Sequence, residues 1–207
     1  MKKQIVPAHG KELLILDAAQ QRFASGGYGK STMDEIAADV GMCKAALYYY
    51  FPTKESVYRA VVLREQQEFL RGADDILRAG TSARAKVLQY VRLRLELAER
   101  LMNLNPIDQY AWHDLHPIFS ELFESFSHEE HRCLLRLFRE GAAAKEFTIA
   151  KPKQMADLLL HVLQALRLRL IKVTKNSTKG TSGHREWREE SLLFATILLD
   201  GITAPTA

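Results

Sequence analysis

Residues 32–54 read TMDEIAADVGMCKAALYYYFPTK, and their order of caps, apolar positions and breakers defines a helix, a glycine turn, a second helix and a proline stop. Thr32 followed three residues later by Glu35 is a capping box, in which the threonine oxygen takes an orphan backbone N–H and the glutamate reaches back to the cap. Ile36, Ala37 and Val40 then recur at helical spacing and give the first helix an inward face. Gly41 ends it, because glycine adopts the left-handed conformation without a Cβ penalty. A second helix over about 44–51 is anchored by Leu47 and Phe51 at i and i+4, and eight residues are too few to hold without tertiary packing. At about 100° per residue, Ala45 and Tyr49 point furthest from that core. Lys44 and Tyr48 flank them on one side, Ala46 and Tyr50 on the other. Pro52 stops the helix, Thr53 caps the next, and Lys54 stands at that helix's start.

This is a helix-turn-helix pattern. An outward face of one lysine, two alanines and three tyrosines suits a helix lying in a major groove. Alanines admit base edges and thymine methyls, while hydroxyls and an ammonium reach phosphates. The same tyrosines, Tyr50 above all, also fit packing against neighbouring helices.

The chain resembles the TetR-type transcriptional repressors from about residue 9 to 69. The resemblance rests on Leu16, Ala19 and Phe23 in the first helix, Gly26-Gly27-Tyr28, the Thr32 cap, Ile36-Ala37, Gly41, Leu47-Tyr48, Phe51 and Lys54-Glu55. It implies phosphate contacts from Thr32, Lys44, Tyr48, Tyr50 and Lys54, and base contacts from Ala45, Ala46 and Tyr49. Three positions depart from the family pattern. Cys43 replaces the usual serine or threonine cap, Ala45 a frequent glycine and Tyr50 a common histidine. Cysteine caps poorly, so the start of the second motif helix is expected to fray in the free protein.

Composition agrees with a nucleic-acid partner but does not concentrate charge in the reader. The 207 residues carry a net charge of +4, yet residues 1–70 hold nine Lys and Arg against eight Asp and Glu, so binding depends on where charges sit. The denser basic stretch of Arg84, Lys86, Arg92, Arg94 and Arg100 reads as a solvated helix face shared with Glu96 and Glu99. Cys43 and Cys133 offer neither a disulfide framework nor a zinc spacing, which favours a cytoplasmic protein. The start MKKQIV lacks a sustained apolar region and is no secretion signal. Residues 155–171 are apolar but interrupted by Asp157, His161, Gln164, Arg167 and Arg169, which argues against a membrane span.

Beyond Phe69 the pattern is helical throughout, without strand alternation or repeats. Breakers divide it into helices at about 54–77, 82–102, 107–114, 117–145, 152–174 and 185–200, with the polar KNSTKGTSGH at 175–184 read as a mobile loop. The expected architecture is all-α with about nine helices: a DNA-binding domain over 9–69, with the motif at 32–51, and a helical effector-binding and dimerisation domain over 70–207.

The last two helices are too apolar for a small domain to bury on both faces by itself, with a purely internal core as the alternative reading. Trp187, Ser191, Phe194, Ala195, Leu198 and Ile202 share a face, and self-association through Leu159, Leu163, Leu166, Trp187, Phe194 and Leu198 would bury it. The resemblance implies the same, a four-helix interface in a homodimer. Aromatic residues of the middle helices read first as core. The resemblance further implies a pocket there for a small apolar or amphipathic effector, with Tyr90, Tyr110, Trp112, His113, Phe123 and His161 as its candidate lining. Asp157, His161 and Gln164 at i, i+4 and i+7 form a polar stripe that is solvent-facing, a seam between subunits or the polar end of such a cavity.

Enzymatic function is not expected. His113 with His116, and His128 with His131, are three apart, but a third ligand, a zinc-protease motif, a phosphate loop and a Ser/His/Asp arrangement are all missing. No cofactor and no metal are implied. The combined expectation is a repressor released from a pseudo-palindromic double-stranded operator by its effector. The alternative is a non-sensing architectural or protein-partner module with a filled cavity.

Overall fold

A computed structural model describes residues 8–103, 109–176 and 180–203. Among them are eight helices: α1 (Ala8–Gly26), α2 (Met33–Val40), α3 (Lys44–Tyr50), α4 (Lys54–Arg78), α5 (Ala83–Asn103), α6 (Gln109–Ala143), α7 (Pro152–Asn176) and α8 (Gly180–Ile202). The all-α expectation holds. Pairing of the β type among the described residues is confined to a bridge between Phe147 and Thr203.

The chain divides into two compact units, one from Met1–Gln66 with Glu99–Phe123, the other from Gln67–Ala98 with Glu124–Ala207. A cut in sequence near residue 69 is therefore not how the chain groups in space. Helix α4 contributes its first half to one unit and its second half to the other, and α6 is likewise shared.

In the first unit, the apolar residues of α1 to α4 converge on a core containing Phe23, Tyr28, Ile36, Leu47, Tyr58 and Val61. Its aromatic centre is a triad. Phe23, Tyr28 and Tyr58 stand 5.2 to 5.6 Å apart by ring centroid, at tilted and edge-on angles that suit their quadrupoles. Leu122 of α6 closes the same core.

The second unit is built around a buried ionic group. Arg94 of α5 donates from Nε to Glu130 Oε1 of α6, and the Tyr90 hydroxyl lies 3.3 Å from the same oxygen. All three are at most 2% exposed. Phe69 packs edge-on against both Tyr90 and Phe126, and the Arg94 guanidinium lies 5.6 Å from the Phe126 ring centroid. Burial pushes the Tyr90 phenol well above the ordinary tyrosine range, and the neighbouring Glu130 charge adds to it. Arg94 is thus a core residue, not part of a solvated basic face.

Two helix boundaries differ from those expected. Pro117, read as opening a new helix, lies inside α6, so the region expected to hold two helices carries one. An interior proline costs about 3 kcal/mol, comparable with burying one or two large apolar side chains. Helix α6 buries Leu122, Phe126, Leu134, Leu137 and Phe138. The polar stretch at 175–184 also fails to make a ten-residue loop, because α7 runs to Asn176 and α8 begins at Gly180. Its lysine, asparagine, serine and threonine are only mildly unfavourable in a helix, and its glycines cost about 1 kcal/mol each. Residues 177–179 lie outside those described.

Half of the expected association face is consumed within the chain. Leu159, Leu163 and Trp187 are buried inside the chain where α7 packs on α8, and the Trp187 indole donates to the Leu166 carbonyl at 2.8 Å. Leu166 and Leu198 are half-buried. Of the expected set Phe194 stays exposed, and with it on the outside are Leu158, Leu193 and Ile197, the last at 62%. Both stripes of α8 are apolar, and periodicity alone does not say which one the chain itself consumes.

Candidate nucleic-acid interface

The reader is assembled by local capping. Thr32 is extended, its Oγ1 accepts from Glu35 N at 3.2 Å, and Glu35 Oε2 accepts from Thr32 N at 2.9 Å, so both halves of the capping box are present. These bonds hold the Glu35 carboxyl below its usual range, with the Thr32 side chain contributing most. Gly41 sits at φ 70° and turns the chain between α2 and α3. Cys43 is the N-cap of α3 and makes no side-chain cap bond, as its chemistry predicts.

Helix α3 is held by Leu47, fully buried, with Phe51 half-buried at its end. Of the six residues expected outside, Lys44, Ala45, Tyr48 and Tyr49 are exposed and Ala46 is half-exposed, whereas Tyr50 is half-buried and packs against the apolar core of the first unit. Tyr49 is 87% exposed, and its ring stands at 89° to that of Tyr50. A helix of this size cannot leave a tyrosine so uncovered without losing the burial of a large apolar ring.

Beside α3 lies a concave groove of about 430 Å³ lined by Ser31, Thr32, Met33, Asp34, Lys44, Tyr48, Pro52, Thr53, Lys54 and Glu55. Thr32, Lys44, Tyr48 and Lys54 therefore come together around one depression next to the exposed side of α3. Ala45, Ala46, Tyr49 and Tyr50 do not line it.

The charges in this region are largely matched internally. Lys44 Nζ donates to Asp34 Oδ2 at 3.0 Å, and that bond raises the lysine above its usual value. Arg22 pairs with Asp39 through two bonds of 2.5 and 2.7 Å and approaches Glu35 at 3.4 Å. Lys54 is turned inward: its ammonium donates to the carbonyls of Tyr28 and Ser31, each at 3.0 Å, and lies 4.2 Å from the centroid of the Tyr28 ring. Sequence reasoning placed Lys54 at the start of α4 as a phosphate contact but had no signal for these partners, which are 23 and 26 residues away.

The candidate effector residues fall in different surroundings where they are described. Tyr90 is sealed in the second unit's core, His161 in the same unit is exposed, and Phe123 belongs to the first unit and is half-buried. The side chains of Tyr110, Trp112 and His113 lie outside those described. Among the described residues, no group of three histidine, cysteine or carboxylate side chains is placed to hold a metal, and no helix is long and apolar enough to cross a membrane.

A short capped helix, a left-handed glycine turn and a protruding second helix beside a polar groove define a helix-turn-helix. Residues 15–61 match the family described as bacterial regulatory proteins, tetR family. A transcriptional regulator from Cytophaga hutchinsonii ATCC 33406, known from its crystal structure, is 36% identical, with 94% of this chain and 100% of that one covered at a TM-score of 0.84. The chain belongs to the TetR family of transcriptional regulators. The regulator RutR of Escherichia coli strain K12 is 34% identical over 88 residues, so the match spans 42% of this chain and 41% of RutR. A protein from Saccharomonospora viridis, crystallised in complex with choline, shares the fold at 18% identity and a TM-score of 0.72, with 94% of this chain and 98% of that one covered.

Proposed function

We propose that this chain is an operator-binding transcriptional repressor that acts in the cytoplasm as a homodimer and leaves DNA when a small apolar or amphipathic effector binds. The observation that carries the DNA-binding part is the outward face of α3, with Tyr49 87% exposed next to a groove that gathers Thr32, Lys44 and Tyr48. In this reading Ala45, Ala46 and Tyr49 face bases. Thr32, Lys44, Tyr48 and Tyr50 face phosphate oxygens, and Lys54 borders the same path.

Two copies joined through the exposed stripe of Leu158, Leu193, Phe194 and Ile197 would present two α3 helices to successive major grooves. The operator is then a pseudo-palindrome with half-sites about 34–36 Å apart or a multiple of that. The test is enrichment of duplexes from the source genome by the full chain, followed by footprinting. A protected, two-fold related pair of half-sites supports the reading, and protection of a single unpaired site contradicts the dimeric part.

The sensing part draws support from the fold neighbour that is in complex with choline. One observation favours the second reading, a non-sensing module. Tyr90, a candidate lining residue, is fully buried against Phe69 and beside Glu130, so this part of the core is filled by the chain's own side chains. A metabolite screen read by operator release separates the two, because an effector must favour the released state by about 1.4 kcal/mol for each tenfold loss of affinity.

A further inference from the structure

Sequence-specific readout in the major groove usually relies on side chains that present two hydrogen-bonding atoms to one base. Arginine or lysine reads guanine, asparagine or glutamine reads adenine, and a carboxylate reads cytosine. Helix α3, KAALYYY, contains no arginine, asparagine, glutamine, aspartate or glutamate. Its one cation, Lys44, is drawn off the helix face toward α2, where the ammonium lies 2.9 Å from Asp34 Oδ1 and 3.0 Å from Asp34 Oδ2. Three polar atoms remain on α3 side chains, the tyrosine hydroxyls, and each sits at the far end of a ring.

Carbon is what this helix presents instead. Ala45 is exposed and Ala46 half-exposed in the first turn, so two methyl groups stand where the backbone approaches the floor of the groove. One turn further on, the Tyr49 ring projects almost free of the protein, steadied edge-on by Tyr50 at 5.5 Å. The groove-floor group that such a surface complements is the C5-methyl of thymine, the one apolar substituent the four bases display there.

We propose that α3 selects its half-site through thymine methyl groups, contacted by Ala45, Ala46 and the ring face of Tyr49, and not through bidentate hydrogen bonds to purines. This rests on the reading of α3 as the major-groove helix. The half-site follows as a short run rich in A·T pairs, with thymines at adjacent or alternate steps where the two alanines and Tyr49 reach. Guanine at those steps is disfavoured because its O6 and N7 acceptors would be desolvated against carbon without a donor.

Replacing thymine by deoxyuridine removes the methyl and leaves every hydrogen-bonding edge unchanged. The full chain is first used to enrich half-sites from a pool of random duplexes, and the enriched duplex is then remade with single deoxyuridines. Each thymine under α3 should lose about fourfold in affinity, the equivalent of ~0.8 kcal/mol for one buried methyl-sized group. Tyr49→Phe keeps the ring and should retain the same thymine preference, whereas Tyr49→Ala should lose it at one position. If a defined half-site is enriched but every deoxyuridine changes affinity by less than about twofold, methyl readout is wrong while DNA binding stands. Enrichment of no sequence at all overturns the major-groove reading on which it rests. Loss of thymine preference in Tyr49→Phe overturns the ring contact and assigns the reading to the hydroxyl.

Discussion

Lys54 holds the carbonyl oxygen of Tyr28 at 3.0 Å while lying over the ring of the same residue, 4.2 Å from its centroid. A second bond to Ser31 O and the 3.0 Å bond from the Tyr28 hydroxyl to Glu55 tie the turn after α1 to the first two residues of α4. One ammonium thereby satisfies two carbonyls that no helix uses, at the point where the cap of α2 begins. Lys54 is therefore a latch of the reader before it is anything to DNA, and with two of its three donors engaged it keeps at most one for a phosphate.

Lys54→Ala should destabilise the protein in the absence of DNA. Charge-assisted hydrogen bonds to buried or half-buried carbonyls contribute roughly 1.5–3 kcal/mol, so a loss of about 1–2 kcal/mol is expected for this partly exposed site. Urea unfolding of the free protein measures it. A residue that served only as a phosphate contact would leave the urea midpoint unchanged, and that result would remove the latch.

Specificity and affinity should separate on α3. Tyr49→Ala is expected to reduce the preference for operator over scrambled duplex by about 1 kcal/mol, close to the value of one methyl contact, with little loss on scrambled DNA. Thr32→Ala, at the groove, should weaken both duplexes alike and also remove a helix cap worth about 1 kcal/mol. Anisotropy titrations with the two duplexes decide. Equal losses on both for Tyr49→Ala would exclude base reading.

The reader's ion pairs should make the salt dependence of its DNA binding shallow. Lys44 is matched by Asp34, Arg22 by Asp39 and Glu35, and Arg59 by Glu121 through bonds of 3.0 and 2.6 Å. Each phosphate neutralised contributes a slope of about −0.9 in log K against log salt, so a reader with few available cations has a small slope. Asp34→Asn frees Lys44 and should steepen the slope by nearly one unit for each subunit while raising affinity for all sequences at low salt. An unchanged slope in Asp34→Asn would mean that Lys44 does not reach phosphate even when released.

Which of these features the sequence announced follows from how local each one is. The Thr32–Glu35 box, the left-handed Gly41 and the uncapped Cys43 involve partners within four residues, and spacing alone displays them. The outward set on α3 was legible because Leu47 fixes the helix phase. Lys54's carbonyls and the Arg94–Glu130 pair join residues 23 to 36 apart, and no periodic pattern encodes such a meeting. Arg94 in fact reads as surface, since it stands among Arg84, Lys86, Arg92 and Arg100. The two apolar stripes of α8 show the same limit from the other side: amphipathicity says that a face is covered, not by what.

The buried pair in the second unit should behave asymmetrically. Glu130→Ala leaves the Arg94 charge buried without its carboxylate and is expected to cost roughly 3–5 kcal/mol, whereas Arg94→Met combined with Glu130→Leu should be close to neutral. Tyr90 sharpens the alkaline side. Because its folded pKa is raised, the stability it contributes is present below the unfolded value near 10.0 and is lost as pH climbs above that. Unfolding midpoints measured from pH 8 to 11 should thus fall less steeply in Tyr90→Phe than in the parent chain. An equal fall in both, or a double variant as unstable as Glu130→Ala, would contradict the arrangement.

Ile197 gives the sharpest test of self-association. It is 62% exposed, next to Leu193 at 59% and Phe194 at 37%, on the side of α8 away from buried Trp187, Ala195 and Leu199. A carboxylate placed there meets water in the isolated chain and costs little, but in a dimer formed through that stripe it would be desolvated without a partner at a cost of several kcal/mol. Ile197→Asp should therefore keep its helical content and unfold cooperatively, run as a monomer in light scattering at micromolar concentration, and lose operator affinity although α3 is untouched. Trp187→Ala should do the opposite first, removing a buried ring and lowering stability by about 3–5 kcal/mol before any effect on association can be read. A dimeric Ile197→Asp chain with full operator affinity would place the subunit contact elsewhere.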